Sequence, residues 1–99
     1  MTEMNKLMWL LENANIPYEI AYQDWTDSIQ VWYPSKENPV CDAICNRYSY
    51  GGKEGLLEIM GLLTDKESEY NSVVGWLTAG NVFTRIFRHY YDMDKEADR

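Results

Sequence analysis

His89 is the only histidine, and so the one side chain whose ordinary pKa lies near neutrality, which makes it the first candidate for proton transfer. It falls one helical turn beyond Arg85 and beside Arg88, and no nucleophile stands at a spacing that would couple to it. A solvated histidine near a helix C-terminus, where cations are favoured, explains it more economically. Arg85, Arg88 and His89 together form a small basic strip that suits a carboxylate, a phosphate or the acidic patch of a second copy. The second candidate set is acidic. Glu19, Asp42 and Glu58 share one sheet face if the strand register holds, and carboxylates brought close together bind a metal or share a proton. Beside Trp32 they read as an electronegative patch suited to contact more than to catalysis.

Three further spacings resemble chemistry and fail its requirements. Tyr48-Ser49-Tyr50-Gly51-Gly52-Lys53-Glu54-Gly55 has the glycines of a phosphate loop, but Glu54 stands where a magnesium-binding Ser or Thr is needed. A tight connection between strands accounts for those glycines. Asp92, Asp94 and Glu96 open like a calcium loop, yet its sixth position is Ala97 instead of Gly, and no closing glutamate follows. Cys41 and Cys45 share a face on a strand but lie too far apart there to bridge, so free thiols in a reducing compartment are expected. With one histidine to join them, a structural zinc site is not expected, and neither is a cofactor.

These side chains must be positioned by a single small domain. The 99 residues are 45% hydrophobic and 25% charged, in the range of soluble globular chains. The longest apolar run, 56–63, is interrupted by Glu58 and Gly61 and is far short of the roughly 20 residues of a membrane span. The opening residues carry an apolar stripe without a basic leader or a small-residue cleavage site, as expected of a mature helix in a cytoplasmic protein. A net charge of −7 repels phosphates, so direct nucleic-acid binding is not expected. The same charge serves solubility or, less economically, imitation of nucleic acid.

Met4, Leu7, Met8, Leu11 and Ala14 recur at helical spacing, with Thr2 as cap and Asn15-Pro17 as stop. Trp9 falls opposite that stripe, where cover by a loop is the first expectation and a subunit or partner the next. Residues 18–23 and 28–33 alternate around Asp24-Trp25-Thr26-Asp27, which predicts a hairpin. Residues 40–47 and 56–62 are assigned as third and fourth strands, with a helix as the alternative for each. The polar stretch 64–72 is expected as a surface loop. Thr78 caps a last helix with Leu77 and Val82 placed as a hydrophobic staple, although Asn81 occupies the position where a capping box takes Glu or Gln. Its apolar face is Ala79, Val82, Phe83, Ile86, Phe87 and Tyr90.

The resulting fold class is α+β: an N-terminal helix, a four-stranded antiparallel meander and a C-terminal helix, with both helices on one face of the sheet. Residues 1–92 form the domain, and 93–99 are expected to fray. The open face then holds Glu19, Ala21, Gln30, Trp32, Asp42 and Glu58.

Tyr50, Gly51, Gly55, Glu58, Gly61, Gly75, Leu77 and Thr78, within SYGGKEGLLEIMGLL and VVGWLTAGNVFTRI, carry a resemblance to small uncharacterised proteins of prophages and conjugative elements in Gram-positive bacteria. The resemblance covers the second half of the chain most closely and implies a mobile-element origin, with no activity, cofactor or catalytic residue attached. Gly80-Asn81 departs from the acidic pair expected after the helix start, which weakens complementarity to the helix dipole.

The expected function is therefore a non-enzymatic accessory role exercised through protein contact or self-association. Four tryptophans and eight tyrosines are more aromatic surface than a core this small can hold, and such rings are enriched at interfaces. The candidate contact residues are Trp9, Glu19, Trp32, Asp42, Glu58, Arg85, Arg88 and His89. An acidic mimic that inhibits a nuclease or regulator is the alternative, and a small enzyme built on His89 or the carboxylates comes last. No membrane partner is expected.

Overall fold

Alternation of side chains along residues 28–33 sets the centre of the molecule. In the computed structural model, which describes residues 1–97 and side chains through Asp92, Ser28–Tyr33 forms strand β2 with Val31 and Tyr33 buried. It pairs antiparallel with β1 (Glu19–Gln23) on one side and β3 (Cys41–Ile44) on the other. β4 (Leu57–Met60) and β5 (Val73–Leu77) complete an antiparallel sheet in the order β1-β2-β3-β4-β5. The sheet thus has five strands, one more than expected. The fifth hides in the sequence because Val73-Val74-Gly75-Trp76-Leu77 is short, broken by glycine and adjacent to a helix cap. Only pairing with β4 makes it a strand.

That pairing is irregular. Leu57 faces Leu77 while Ile59 faces Val74, so β5 carries an extra residue there. Trp76 lies in the bulge at φ +56, a left-handed conformation that a bulky side chain rarely adopts. Gly75 is required for close approach: a Cβ there would sit 2.2 Å from the Tyr50 Cβ and 2.5 Å from its carbonyl oxygen. The Trp76 N–H donates to that same carbonyl at 3.1 Å, so the bulge is locked to the β3–β4 connection.

Helix α1 (Glu3–Asn13) is capped by Thr2, whose hydroxyl accepts from the Asn5 N–H at 3.0 Å. Helix α3 (Ala79–Ala97) is capped by Thr78. The Asn81 N–H donates to Thr78 Oγ1 and the Thr78 N–H donates to Asn81 Oδ1, both at 3.1 Å, so asparagine closes the reciprocal cap after all. Glu3 supplies the negative charge that the first turn of α3 lacks: its Oε1 accepts the Ala79 N–H at 2.7 Å. This bond holds the Glu3 carboxyl below its usual range, with Lys6 a smaller influence. At the other end the Tyr91 hydroxyl donates to the Ala14 carbonyl at 2.8 Å, so α1 and α3 run side by side in the same direction. Helix α3 continues into the segment expected to fray; of that segment, 98–99 lie outside the described residues, as do the side chains of the calcium-like acidic run beyond Asp92.

One hydrophobic cluster joins Met4, Leu7 and Leu11 of α1, Val31, Tyr33, Cys41, Ala43, Leu57 and Ile59 of the sheet, and Ala79, Val82 and Ile86 of α3. The outward positions alternate with these: Trp32 pairs with Asp42, and Asp42 with Met60. Strand β1 lies at the margin of this core. Ile20 and Tyr22 pair with the inward-facing Val31 and Ile29 but remain exposed.

The polar stretch 64–72 is not all loop. Asp65–Ser68 forms a helical turn, α2, because Thr64 and Glu67 make a complete capping box. Glu67 is also gripped by Arg85, whose Nη1 and Nη2 donate to its two oxygens at 2.7 and 2.8 Å while Nη1 also reaches the Leu62 carbonyl at 3.0 Å. Arg85 and the Thr64 backbone together pull the Glu67 pKa from 4.5 to about 2. Because folding lowers this pKa, the stabilisation is complete above the ordinary carboxylate range and is lost as pH falls through about 2. Urea titrations across that window should show stability declining with acid, and Glu67→Gln should flatten the decline while costing about 1 kcal/mol near neutrality.

Candidate functional site

The carboxylates expected to converge lie on the outward sheet face but do not meet. Glu19 Oε1 accepts the Lys36 N–H at 2.9 Å, and Glu58 Oε1 accepts the Tyr50 N–H at 2.9 Å. Trp32 lies between Glu19 and Asp42 across the strands. Asp42 is half-buried and closes a relay: Gln23 Nε2 donates to Gln30 Oε1, and Gln30 Nε2 donates to Asp42 Oδ2, each at 2.7 Å. Burial raises the Asp42 pKa, opposed by the bonds from Gln30 and the Met60 N–H. Among the described residues, no group of three His, Cys, Asp or Glu side chains is placed to hold a metal ion. The face is a sequence of separate backbone and amide anchors. Trp32 flanks a shallow pocket of about 110 Å³ with Val40 and Met60, its own Nε1–H buried without a partner among the described groups.

The basic strip on α3 divides in the same way. Arg85 is engaged by Glu67, whereas Arg88 is exposed. His89 does not sit in solvent: its Nδ1 lies 2.7 Å from the Tyr33 hydroxyl, with the two rings edge to face at 5.6 Å. Burial first, then Tyr90 and Cys41, push the Tyr33 pKa up to about 12, so its hydroxyl stays protonated at neutral pH. His89 thereby closes the core around a buried tyrosine.

Both cysteines are free. Burial drives the Cys41 thiol up to about 12, with Asp42 adding to the rise and Arg85 opposing it. Burial thus disfavours the nucleophilic thiolate form of Cys41. Alkylation followed by mass spectrometry should leave Cys41 unmodified in the folded protein and label it fully in denaturant. Rapid labelling under native conditions would contradict its burial.

Trp9, placed opposite the apolar stripe by its spacing, is 56% exposed, so no described loop covers it. More telling is the end of the sheet where the β1–β2 turn, the β3–β4 connection and β5 meet. Trp25 stacks on Tyr48 with ring centroids 5.6 Å apart and planes 15° apart. Tyr50 stacks on Trp76 at 5.6 Å and 16°. Trp25, Tyr48, Tyr50 and Trp76 nevertheless remain 67%, 65%, 54% and 59% exposed. Arg47 lies 4.9 Å from the Tyr48 ring centroid and donates from Nη2 to the Trp25 carbonyl at 3.2 Å, bracing the first stack. Tyr48, Tyr50 and Trp76 line one open pocket of about 380 Å³ with Arg47, Lys53 and Glu54.

Glycine turns and local hydrogen bonds brace this end. Gly51 at φ +89 and Gly55 at φ +76 flank a single 3-10 turn, Gly52–Glu54, which confirms the glycines as a tight connection. The Asn46 Oδ1 accepts the Tyr48 N–H at 2.8 Å, and Ser49 Oγ accepts the Asn46 N–H at 2.9 Å. The density of Trp, Tyr and Gly between 46 and 55 and at 75–76 was the available signal. Their convergence required the sheet order and the bulge.

No family model, curated protein or solved structure matches the chain. No described helix is long and apolar enough to cross a membrane.

Proposed function

We propose that this chain is a non-enzymatic accessory protein of a mobile element, acting in the cytoplasm by protein–protein contact or self-association through exposed aromatics and an acidic face. The observation that carries this reading is the aromatic end, where two stacked pairs join the β1–β2 turn, the β3–β4 connection and β5 and are left exposed to solvent. Rings with an apolar body and a polar edge are favoured in contact surfaces, and prior stacking lowers the entropy lost on docking. With both helices taken to the side of the sheet that carries the core, the opposite face leaves Trp32, Asp42 and Glu58 for a second area of contact. Separate local anchoring of Glu19, Asp42 and Glu58, and the engagement of half-buried His89 by the Tyr33 hydroxyl, support contact over catalysis.

The test is analytical ultracentrifugation together with affinity capture from the host, comparing the native chain with Trp25→Ala and Trp9→Ala. Self-association or a specific partner that depends on Trp25 supports the reading. A strictly monomeric protein that captures nothing specific overturns it. A second reading, imitation of nucleic acid toward a basic nuclease or regulator, rests on the net charge of −7. It requires salt-sensitive binding to such an enzyme, and unchanged activity across a nuclease panel removes it.

A further inference from the structure

The aromatic end has a chemistry of its own, and the inference drawn from it rests on the contact reading above. We propose that the pocket between Tyr48, Tyr50 and Trp76 receives a proline-rich segment of a partner protein in the polyproline II conformation, with an acidic residue beside the prolines.

Several observations select this occupant. Tyr48, backed by its stack on Trp25, and the Tyr50–Trp76 stack line one pocket, and proline-rich segments dock in aromatic-lined grooves because their extended helix is already formed. Proline offers a flat apolar ring and a carbonyl with no N–H. The exposed Tyr hydroxyls and the Trp76 indole N–H are the matching donors at the ring edges. The second observation is local charge. Arg47 and Lys53 line the pocket against a single acid, Glu54, on a chain whose net charge is −7, so an acidic flank on the ligand is complementary there.

The other observations weigh against competitors. Trp76 in its bulge interrupts the outer edge of β5, so an added β-strand lacks a regular ladder to join. An amphipathic helix needs a continuous aliphatic trough, whereas Ser49, Lys53 and Glu54 interrupt this one. Stacked bases would also suit the rings, and the oligonucleotide in the titration tests that competitor directly. The left-handed Trp76, kept in place by its N–H bond to Tyr50, shows that the second ridge is maintained against backbone strain.

The experiment is an amide NMR titration of the intact chain with four probes: a PxxP peptide flanked by glutamates, the same peptide flanked by lysines, its alanine-for-proline version and a thymidine oligonucleotide. The expected result is shift changes confined to residues 25, 47–54 and 76, with tightest binding to the glutamate-flanked peptide. Trp25→Ala and Trp76→Gly should each weaken that binding about tenfold or more. Glycine accepts the left-handed backbone, so Trp76→Gly keeps the fold while removing the ring. The proposal is overturned if no proline peptide shifts these resonances at about 1 mM, if the alanine version binds equally, or if the oligonucleotide binds more tightly. If Trp25-dependent self-association or partner capture survives that failure, the contact reading stands and only the proline ligand is lost. If both vanish, both fall.

Discussion

Gly75→Ala should lower the stability of the fold by about 3 kcal/mol, a large effect for one methyl group. The methyl would lie 2.5 Å from the Tyr50 carbonyl oxygen, which is backbone and is itself held by the Trp76 N–H. Either β5 separates from the connection or the connection tilts away from the sheet. Both movements slide Tyr50 off Trp76, so tryptophan fluorescence should change along with the urea midpoint. For a domain of this size the loss corresponds to roughly 12–20 °C in Tm. A loss smaller than about 0.5 kcal/mol would show that the connection is pliant and that the aromatic end is not pre-organised.

Ile86→Ala should cost a similar amount, about 3 kcal/mol, by a different mechanism. Ile86 is fully buried in the same cluster as Val82, Ile59 and Leu57. Helix α3 follows β5 after Thr78 alone, so it has little freedom to settle into the space left by the lost carbons. Phe87, one position on, is exposed and packs on Phe83 and Tyr91 along the outside of the helix. Phe87→Ala should therefore cost under about 1 kcal/mol, and equal losses at the two positions would mean that α3 is docked on a different face. Equilibrium denaturation with matched slopes measures both.

How far the chain reveals this arrangement depends on the distance over which each feature is encoded. The alternation of Ile29, Val31 and Tyr33 against Ser28, Gln30 and Trp32 specifies a strand and both its faces within six residues. The stripe of Val82 and Ile86 and the cap at Thr78 do the same for α3. Other features needed partners remote in sequence. Val73–Leu77 is a strand because β4 offers it an edge. Asp65–Ser68 is helical through a local capping box and is fastened by Arg85 across 18 residues. The candidate residues suffered most from this limit. His89 looked solvated until Tyr33, 56 residues away, was placed against it. Glu19, Asp42 and Glu58 shared a face as expected, and neighbours then claimed each of them separately.

What the sequence determined by itself was the class of fold, the hairpin and both long helices. These follow from side-chain period, capping and turn chemistry, all of which act over a few residues. Tertiary structure alone decided where the surplus aromatics go. Trp25, Tyr48, Tyr50 and Trp76 come from three separate segments and meet in two stacks, the second of them placed by a one-residue bulge in β5 together with a glycine at 75. Stacking is a contact between rings, and no pattern within one segment encodes which rings will meet.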